Sequence, residues 1–325
     1  MTNEKSDDSI SDAPSPEQIP NPIISRDCPT CGCPSGKNPV EVRSKADVEI
    51  ASLDSINSFW GGFRNNDFFF DYVRCTSCNL LYNSFYLHPD LVSYAYSEME
   101  DNTSGVPQHL LEKTHRRYVS MTETFGPISG TYLEIGPDIG LTAKIAIDGG
   151  KISKLIFIEP NLMVHNDLRR LASDTEIIIQ ENLQDLISSD LEVEINQLFL
   201  IHVLDHLTDP KEDLIKLREK MPVGARLTVV VHNEGSGLRK ILGVKWPPFR
   251  LQHPQLFSRK TLTNHLESCG FKVCKVKSTY NTFSIRHFLN IGLALIGLSP
   301  RWVQKVPNLS ITVPLGNIIC ISEAI

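Results

Sequence analysis

The sequence predicts the α/β fold class, with a doubly wound parallel sheet that follows a small cysteine-rich module. Short runs rich in Val, Ile and Leu alternate with helical stretches between residues 131 and 233, and strands of this composition are buried on both faces of a parallel sheet. Glycine and polar residues follow these runs, as expected where a ligand binds at the carboxyl ends of the strands. Two Cys-x-x-Cys pairs before residue 80 predict the separate module.

The composition of the 325 residues fits a folded chain of about two domains. A formal net charge of −6 argues against broad nucleic-acid binding, which needs a basic face. Residues 1–21 lack the apolar core of a secretory signal, and the longest apolar stretch, residues 288–298, is shorter than the roughly 20 residues that span a bilayer. We therefore expect a cytoplasmic protein with reduced thiols and without a nucleic-acid partner.

The chain divides into three predicted parts. Residues 1–25 are acidic, polar and proline-bearing, which predicts a disordered tail. Residues 26–100 contain both cysteine pairs and form the predicted zinc-ribbon-like module, in which "NDFFFDYVRC" predicts a strand that enters the second pair. Residues 101–325 form the predicted α/β domain.

The cysteine pairs predict one structural zinc ion. Cys28 and Cys31 form the first pair, and Cys75 and Cys78 form the second. Each pair can direct two thiolates at one tetrahedral ion, and four thiolates close its coordination sphere, so the zinc would not be catalytic. The alternative is a coincidental set of buried thiols. Cys33 is a fifth candidate that competes with Cys31.

The α/β domain begins with a predicted helix in residues 107–125, whose apolar residues can share one face. Predicted strands and helices then alternate. The strands are residues 131–136, 154–160, 176–180, 196–204 and 225–233.

Chemically informative residues stand at the ends of these strands. Because the carboxyl ends of parallel strands meet at one edge of the sheet, we expect these residues to line one site for a nucleoside-like ligand. They are Glu134, Gly136, Gly140, Glu159, Asn182, His202, Asp205, His206 and His232.

The glycines after the first strand have a physical role. Gly136 permits a sharp turn close to a ligand, and Gly140 lets the next helix pack closely with its amides toward that ligand. The spacing differs from the dinucleotide pattern G-x-G-x-x-G, and no P-loop lysine follows. Glu159, after the second strand, can accept two hydrogen bonds from ribose. An empty strand-to-helix turn is the alternative interpretation of the glycines alone.

Several motifs resemble those of class I S-adenosylmethionine-dependent methyltransferases, which have a Rossmann-like fold. "YLEIGPDIG" resembles the first motif, with Asp138 in place of the middle glycine. "FIEP" resembles the acidic second motif, "FLIHVLDHLTDP" the fourth-strand motif, and "VPLGNIICIS" the last strand. "PFRLQHPQLFSRKTLTNHLESCGF" resembles a further family segment that contains a histidine. The resemblance covers residues 107–325.

A second resemblance lies upstream. "CTSCNLLYNSFYLHPDLVSYAYSEM" resembles the second knuckle of a zinc-binding module in a bacterial methyltransferase subfamily, with Asn79 in place of a glycine. Members with this order of domains modify sugars, lipids or secondary metabolites, so the resemblance implies a small-molecule, glycan or lipid-linked acceptor.

The resemblance implies a set of residues that bind S-adenosylmethionine. Within it, Glu134 would hold the methionine amino end, Glu159 the ribose, and His202 would lie beside the methionine or the acceptor. The full set is Glu134, Gly136, Pro137, Asp138, Gly140, Glu159, Pro160, Asn182, Leu183 and His202.

An oxygen or carbon acceptor must lose a proton, and histidine is the commonest base near neutral pH. His232 and His253 are the candidates for this catalytic base, with loop anchoring as the alternative for each. We expect His206 to pack structurally, and Trp246 to form either a lid or a loop anchor. Residues 287–302 form either core packing, an apolar cap on the acceptor, or a weak contact with a membrane surface.

Two other functions compete with methyl transfer. The first is a zinc-stabilised binding module whose α/β domain is a degenerate, non-catalytic cofactor fold, because Asp138 departs from the glycine pattern. The second is a nicotinamide-dependent oxidoreductase, which the glycine spacing disfavours.

Overall fold

A computed structural model describes residues 19, 21–45, 60, 68–97, 99, 107–188, 193–294, 301–307 and 309–325. The strands in these residues are β1 (Ile23–Ser25), β2 (Val40–Val42), β3 (Tyr72–Arg74), β4 (Leu81–Asn83), β5 (Phe85–Leu87), β6 (Ser129–Ile135), β7 (Lys151–Ile158), β8 (Glu176–Gln180), β9 (Gln197–Ile201), β10 (Arg226–His232), β11 (Gln255–Leu256), β12 (Phe271–Ser284) and β13 (Ser310–Ala324).

The α-helices are α1 (Pro89–Ser97), α2 (Gln108–Glu123), α3 (Leu141–Gly149), α4 (His165–Arg169), α5 (Leu183–Ser188), α6 (Pro210–Glu219), α7 (Gly237–Leu242), α8 (Arg259–Ser268) and α9 (Ile285–Ala294). Short 3₁₀ helices cover Ser35–Lys37, Leu162–Val164, Gly243–Lys245 and Arg301–Lys305.

Seven strands form the central sheet in the order β12-β13-β10-β9-β6-β7-β8. The strands from β10 to β8 pair in parallel, whereas β13 pairs antiparallel with both β10 and β12. This arrangement confirms the predicted α/β fold class with a doubly wound sheet. The sequence analysis did not predict β12, whose polar and apolar residues alternate as in a half-exposed edge strand.

Hydrophobic residues cover both faces of this sheet. Leu133 on β6 belongs to one buried cluster, together with Leu214 of α6 and Leu262 of α8. Its neighbour Tyr132 belongs to the other cluster, with Ala143 of α3. Successive residues of one strand therefore enter opposite cores, which explains why the central strands are almost continuously apolar.

The predicted fourth strand, residues 196–204, is shorter in the structure and ends at Ile201. The next residue, His202, has a φ of 57°, a left-handed conformation that an extended strand does not allow. The chain therefore leaves the sheet three residues early and places Val203 to His206 in a turn above the strand ends.

The N-terminal module shares a sheet with the α/β domain. Strand β11 pairs antiparallel with β4, through Gln255 with Tyr82 and Leu256 with Leu81, in a sheet of order β11-β4-β3-β2. A second small sheet pairs β1 with β5, so the range assigned to the tail includes a strand at residues 23–25. Residues 1–18 and 20 lie outside the described part of the chain.

An aromatic cluster also joins the two parts. Trp246 is 1% exposed and packs edge-on against Phe249, with 5.2 Å between ring centroids. Phe69 and Tyr72 of the module belong to the same buried cluster. Of the two interpretations of Trp246, the structure supports the loop anchor rather than the lid.

Four charged residues bridge the two parts, and one of them, Glu234, is buried. Arg74 of the module contacts Glu234 of the α/β domain at 2.8 Å, and Arg239 at the start of α7 contacts Glu41 of the module at 2.6 Å. The hydrogen bond from Arg74 lowers the pKa of Glu41 to about 2. A network of several charges contributes more to stability than an isolated surface ion pair does.

No helix in the described ranges is both long and apolar enough to cross a membrane. Helix α9 covers the first part of the apolar segment, but residues 295–300 and the side chains of residues 287, 288, 291, 294 and 301 lie outside the described part. The contact of residues 287–302 with a membrane surface stays a prediction.

Candidate active site

Two cavities meet at the carboxyl edge of the central sheet. The first cavity, of about 360 Å³, lies over β7 and β8, and the second, of about 380 Å³, lies over β10. Both exceed the lower end of the usual range for small-molecule sites, roughly 300 Å³. The residues that border both cavities are Gly136, Asp138, Ile201, His202 and His206.

The glycine loop after β6 separates the two cavities. Gly136, Asp138 and Gly140 all have left-handed backbone angles, with φ of 63°, 53° and 74°. A Cβ on Gly140 would lie 2.5 Å from Leu171 and 2.9 Å from Leu168. This glycine therefore permits close packing against Leu168 of α4 and against Leu171, which follows that helix. Asp138 adopts the conformation of the glycine it replaces, which Asp tolerates better than most residues.

Glu159 fixes this loop against the end of β7. One carboxylate oxygen accepts a hydrogen bond from the Asp138 amide at 3.1 Å, and the other accepts one from the Asn161 amide at 3.0 Å. Burial raises the pKa of Glu159. Each oxygen retains a further lone pair for a ligand hydroxyl, and the side chain borders the first cavity.

The other predicted cofactor residues divide between the cavities. Pro160, Asn182 and Leu183 border the first cavity, and Pro137 borders the second. Glu134 also borders the second cavity, where its Oε2 accepts a hydrogen bond from Tyr132 at 2.7 Å. Glu134 is 1% exposed, and burial raises its pKa to about 8.

We expect Glu134→Gln to flatten the pH dependence of stability in the ligand-free protein. As the pH rises from about 4.5 to about 8, the unfolded chain loses this proton while the folded protein keeps it, so the free energy of unfolding falls. The wild type should therefore lose about 3 kcal/mol more stability than the variant between about pH 5 and pH 8.

Urea unfolding at several pH values measures this difference. Glu176→Gln is the matched control, because Glu176 is 58% exposed in its surface pair with Lys154. The control should follow the wild type. Parallel stability curves for the wild type and Glu134→Gln would contradict the assignment of a buried, protonated carboxyl.

The half-buried His232 and the buried Asp205 form a pair beside the second cavity. The Nδ1–H of His232 donates to the Asp205 carboxylate at 2.7 Å, which leaves the lone pair on Nε2. Asp205 is completely buried. Burial acts to raise the pKa of Asp205, but the adjacent His232 and its hydrogen bond act against burial, and this pKa is lowered. An ionised carboxylate therefore orients the imidazole.

Three further histidines surround this pair. His253 packs 4.8 Å from His232 and 4.6 Å from His206 between ring centroids. His202 also packs against His232, with 4.8 Å between the ring centroids and an angle of 41° between the ring planes. Burial lowers the pKa of His206 to about 4 and that of His202 to about 3, so both rings are neutral near pH 7.

The structure thus brings together the predicted His202, His232 and His253. His206, which we expected to pack structurally, lies in the turn after β9 and borders both cavities. The pairing of Asp205 with His232 was not predicted, although the "HVLDH" and "VVVHN" segments end neighbouring parallel strands. That adjacency was the signal that could have paired Asp205 with His232.

The N-terminal module contributes part of the site, which the sequence analysis did not predict. Tyr96 on α1 borders the first cavity, and its hydroxyl lies 2.6 Å from Nδ1 of His206. The Tyr72 hydroxyl donates to the His253 carbonyl at 2.6 Å. The Tyr86 hydroxyl donates to the Leu251 carbonyl at 2.9 Å. The module therefore holds the segment that carries His253.

The two cysteine pairs converge within this module. All four sulfurs lie within 4.8 Å of one another, with Cys28 and Cys78 at 3.4 Å and Cys31 and Cys75 at 3.5 Å. Sulfurs bound to one tetrahedral zinc lie about 3.8 Å apart, so the cluster fits such an ion. Cys33 lies outside the cluster.

The turns after the first cysteine of each pair have matching backbones. The amides of Gly32 and Asn79 donate to the carbonyls of Cys28 and Cys75 at 2.8 and 2.9 Å. Gly32 has a φ of 69° and Asn79 one of 67°. Asn79 thus takes the left-handed conformation of the expected glycine, which Asn tolerates well.

Comparison with known proteins shows to which family the chain belongs. The model of a family described as a methyltransferase domain matches residues 108–276, which are 169 of the 325 residues. No curated protein matches the chain. Because the family match covers more than half of the chain, the chain belongs to this methyltransferase family, and its fold is the Rossmann-like fold of class I methyltransferases.

Solved structures with a similar fold are distant in sequence. A chain from the complex between the Haloferax volcanii Trm112 methyltransferase activator and its methyltransferase is 10% identical, with a TM-score of 0.49, over 72% of this chain and 97% of that chain. The N-methyltransferase NodS from Bradyrhizobium japonicum WM9, in complex with S-adenosyl-l-homocysteine, is 11% identical, with a TM-score of 0.44, over 71% and 96%. Magnesium protoporphyrin IX methyltransferase (ChlM) from Synechocystis PCC 6803, with the same ligand, is 11% identical, with a TM-score of 0.44, over 72% and 91%.

Proposed function

We propose that this chain, as a member of the methyltransferase family, transfers a methyl group from S-adenosylmethionine in the first cavity to a small-molecule acceptor in the second. One observation carries the proposal. The cavities meet at Gly136, Asp138 and His202, and the oriented His232 stands on the acceptor side of that junction. Donor and acceptor would thus face each other next to a base.

The first cavity suits the nucleoside end of S-adenosylmethionine. The Glu159 carboxylate has lone pairs left for the ribose hydroxyls. Leu183 and Ile158 supply an apolar wall for the adenine ring. Asn182 borders the same cavity and can hydrogen-bond the adenine edge. The left-handed glycine loop allows the backbone to approach the methionine end without a Cβ between them.

His232 is the general base in this proposal. The acceptor's proton passes to His232 Nε2, while Asp205 holds Nδ1–H and stabilises the imidazolium that forms. S-adenosylmethionine supplies an electrophilic methyl on a sulfonium, so the acceptor's electron pair forms the new bond as the carbon–sulfur pair returns to sulfur. The imidazolium then releases its proton to water. His253, the second candidate, supports the His232 ring through their contact at 4.8 Å.

The acceptor is a small molecule with both apolar and polar groups. The second cavity is bordered by Leu111, Phe283 and Pro248, and also by Asn281 and Thr282. This mixture fits a sugar, a lipid-linked compound or a secondary metabolite, the acceptor classes implied by the sequence resemblance.

The four-cysteine cluster would hold one structural zinc ion. Four thiolates leave no position for a substrate, so the ion would stabilise the module and take no part in methyl transfer. We also propose a cytoplasmic location, because thiolate ligands need a reducing compartment.

Calorimetry tests the cofactor assignment. We expect the protein to bind S-adenosylmethionine, and Glu159→Ala to weaken this binding at least about tenfold, because the ribose loses a charge-assisted hydrogen-bond acceptor. Glu176→Ala, at the exposed end of the neighbouring strand β8, should bind like the wild type.

Three results separate the competing functions. Release of S-adenosylhomocysteine with one of a panel of sugar nucleotides, phenols and hydroxylated lipids supports methyl transfer. Tight S-adenosylmethionine binding without product from this panel or from a cell extract of small molecules would favour the degenerate binding module. NADH binding in place of S-adenosylmethionine would overturn the proposal.

A further inference from the structure

We propose that Asp205, His206 and His253 bind a divalent transition-metal ion at the edge of the second cavity, in addition to any zinc in the cysteine cluster. The use of this ion rests on the proposed function, because it would bind the methyl acceptor. The three side chains come from the turn after β9 and from the segment before β11, so the fold brings them together from distant parts of the sequence.

The three ligand atoms already lie close to one another. Asp205, His206 and His253 each offer one atom, and all three lie within 4.8 Å of one another. Nε2 of His206 is 4.0 Å from Oδ1 of Asp205. Two ligands bound about 2.1 Å from an ion lie about 3 to 3.4 Å apart, so small side-chain rotations would close the set around the ion.

One buried oxygen favours a cation at this position. Oδ1 of Asp205 is buried and has no hydrogen-bond partner among the described residues, although the other oxygen accepts from His232. Buried polar atoms are almost always paired, and an unpaired carboxylate oxygen is especially unfavourable. A cation between Asp205, His206 and His253 would satisfy this oxygen.

The outer contacts of both histidines match those of metal ligands. His253 donates its Nδ1–H to the Pro248 carbonyl at 2.6 Å, which leaves its Nε2 lone pair for an ion. Nδ1 of His206 contacts the Tyr96 hydroxyl at 2.6 Å. Histidines that bind metals are usually oriented in this way through the other ring nitrogen.

The ligand set indicates the class of ion and its use. Two imidazoles and one carboxylate favour iron(II), cobalt(II) or zinc over magnesium or calcium, which prefer oxygen ligands. Three protein ligands leave positions open, and His206 and His253 both border the second cavity. An acceptor hydroxyl bound there would have a lower pKa and would give its proton to His232, which is not a ligand.

Metal stoichiometry tests the proposal on the full chain. Protein stripped with a chelator is titrated with cobalt(II), and each class of site is followed by absorption, because thiolate ligands give intense near-ultraviolet charge-transfer bands that nitrogen and oxygen ligands lack. We expect two ions per chain. His206→Gln and His253→Gln should each retain only the thiolate-bound ion, and the surface control His88→Gln should bind both.

A variant with a smaller change distinguishes loss of the metal site from misfolding. Tyr96→Phe removes only the hydroxyl that orients His206, so it should weaken cobalt(II) binding at the second site about tenfold, the low end of such outer contacts. Tyr94→Phe, on the same helix, should have no effect. One cobalt per chain in the wild type, or two in both histidine variants, would overturn the proposal.

This result is independent of the cofactor assignment. Calorimetry on the wild type, with the second site empty or loaded, reports S-adenosylmethionine binding directly. If the protein binds the cofactor but takes up only the thiolate-bound cobalt, the second metal site is refuted and the proposed function stands. If it takes up two metal ions but does not bind the cofactor, the proposed function is refuted and the second metal site stands.

Discussion

Replacing His232 with alanine should lower kcat for methyl transfer by about 10²- to 10⁴-fold, the usual contribution of a positioned general base. The acceptor must lose its proton as the new bond forms, and His232 is the imidazole whose Nδ1–H is held by a fully buried carboxylate. S-adenosylhomocysteine release, with the acceptor that the wild type methylates, gives kcat. The dissociation constant of S-adenosylmethionine should stay unchanged, because His232 borders only the second cavity.

Chemical rescue distinguishes a lost base from a disturbed fold. Added imidazole should restore part of the activity of His232→Ala, since the truncated side chain leaves space beside Asp205. Imidazole should not restore the activity of His253→Gln. The wild-type His253 ring is buried, contacts the Pro248 carbonyl and acts through its neighbours. Full activity of His232→Ala would remove His232 as the base, and rescue of His253→Gln by imidazole would assign that role to His253.

Loss of the four-cysteine cluster should affect the whole candidate site and not only the module. Cys75→Ser should lower the free energy of unfolding by at least about 4 kcal/mol, because metal binding contributes directly to the folding of such small modules. It should also weaken S-adenosylmethionine binding and reduce kcat, since α1 borders the first cavity and Tyr72 holds the segment of His253.

Cys33→Ser is the matched control for this experiment. Cys33 neighbours the cluster, where its sulfur contacts Asn38 at 3.8 Å, but it is not one of the four clustered cysteines. The control should keep one zinc per chain and normal activity, as measured by metal analysis and denaturant unfolding. Zinc retained in Cys75→Ser but lost in Cys33→Ser would show that the ligand set is wrong.

The sequence predicted the sheet better than the site. Runs such as "KLIFIEP" and "EIIIQ" identify strands because burial on both faces requires continuous apolar residues. Asp205 and His206 were also placed at the strand ends, but their contacts with His232, His253 and Tyr96 were not predicted, since those contacts depend on the left-handed turn at His202. The glycine loop and Glu159 were predicted to lie near a ligand because their positions follow directly from the strand ends.

The link between module and α/β domain could not be predicted from local patterns. Strand β11 has only two residues and pairs with β4 from a distant part of the chain. Such pairing depends on the tertiary structure and not on the propensity of either segment. For the same reason, the contributions of Tyr72, Tyr86 and Tyr96 to the site had no sequence signal of their own.

The pairing of β11 with β4 has a consequence for biosynthesis. The cysteine pairs and β4 leave the ribosome long before β11, because Cys78 precedes Gln255 by most of the α/β domain. The edge of β4 stays open until β11 has emerged. Closure of that edge is therefore a late, long-range step. A nascent chain stalled before residue 255 would expose an unpaired strand, which is a site for aggregation or chaperone binding.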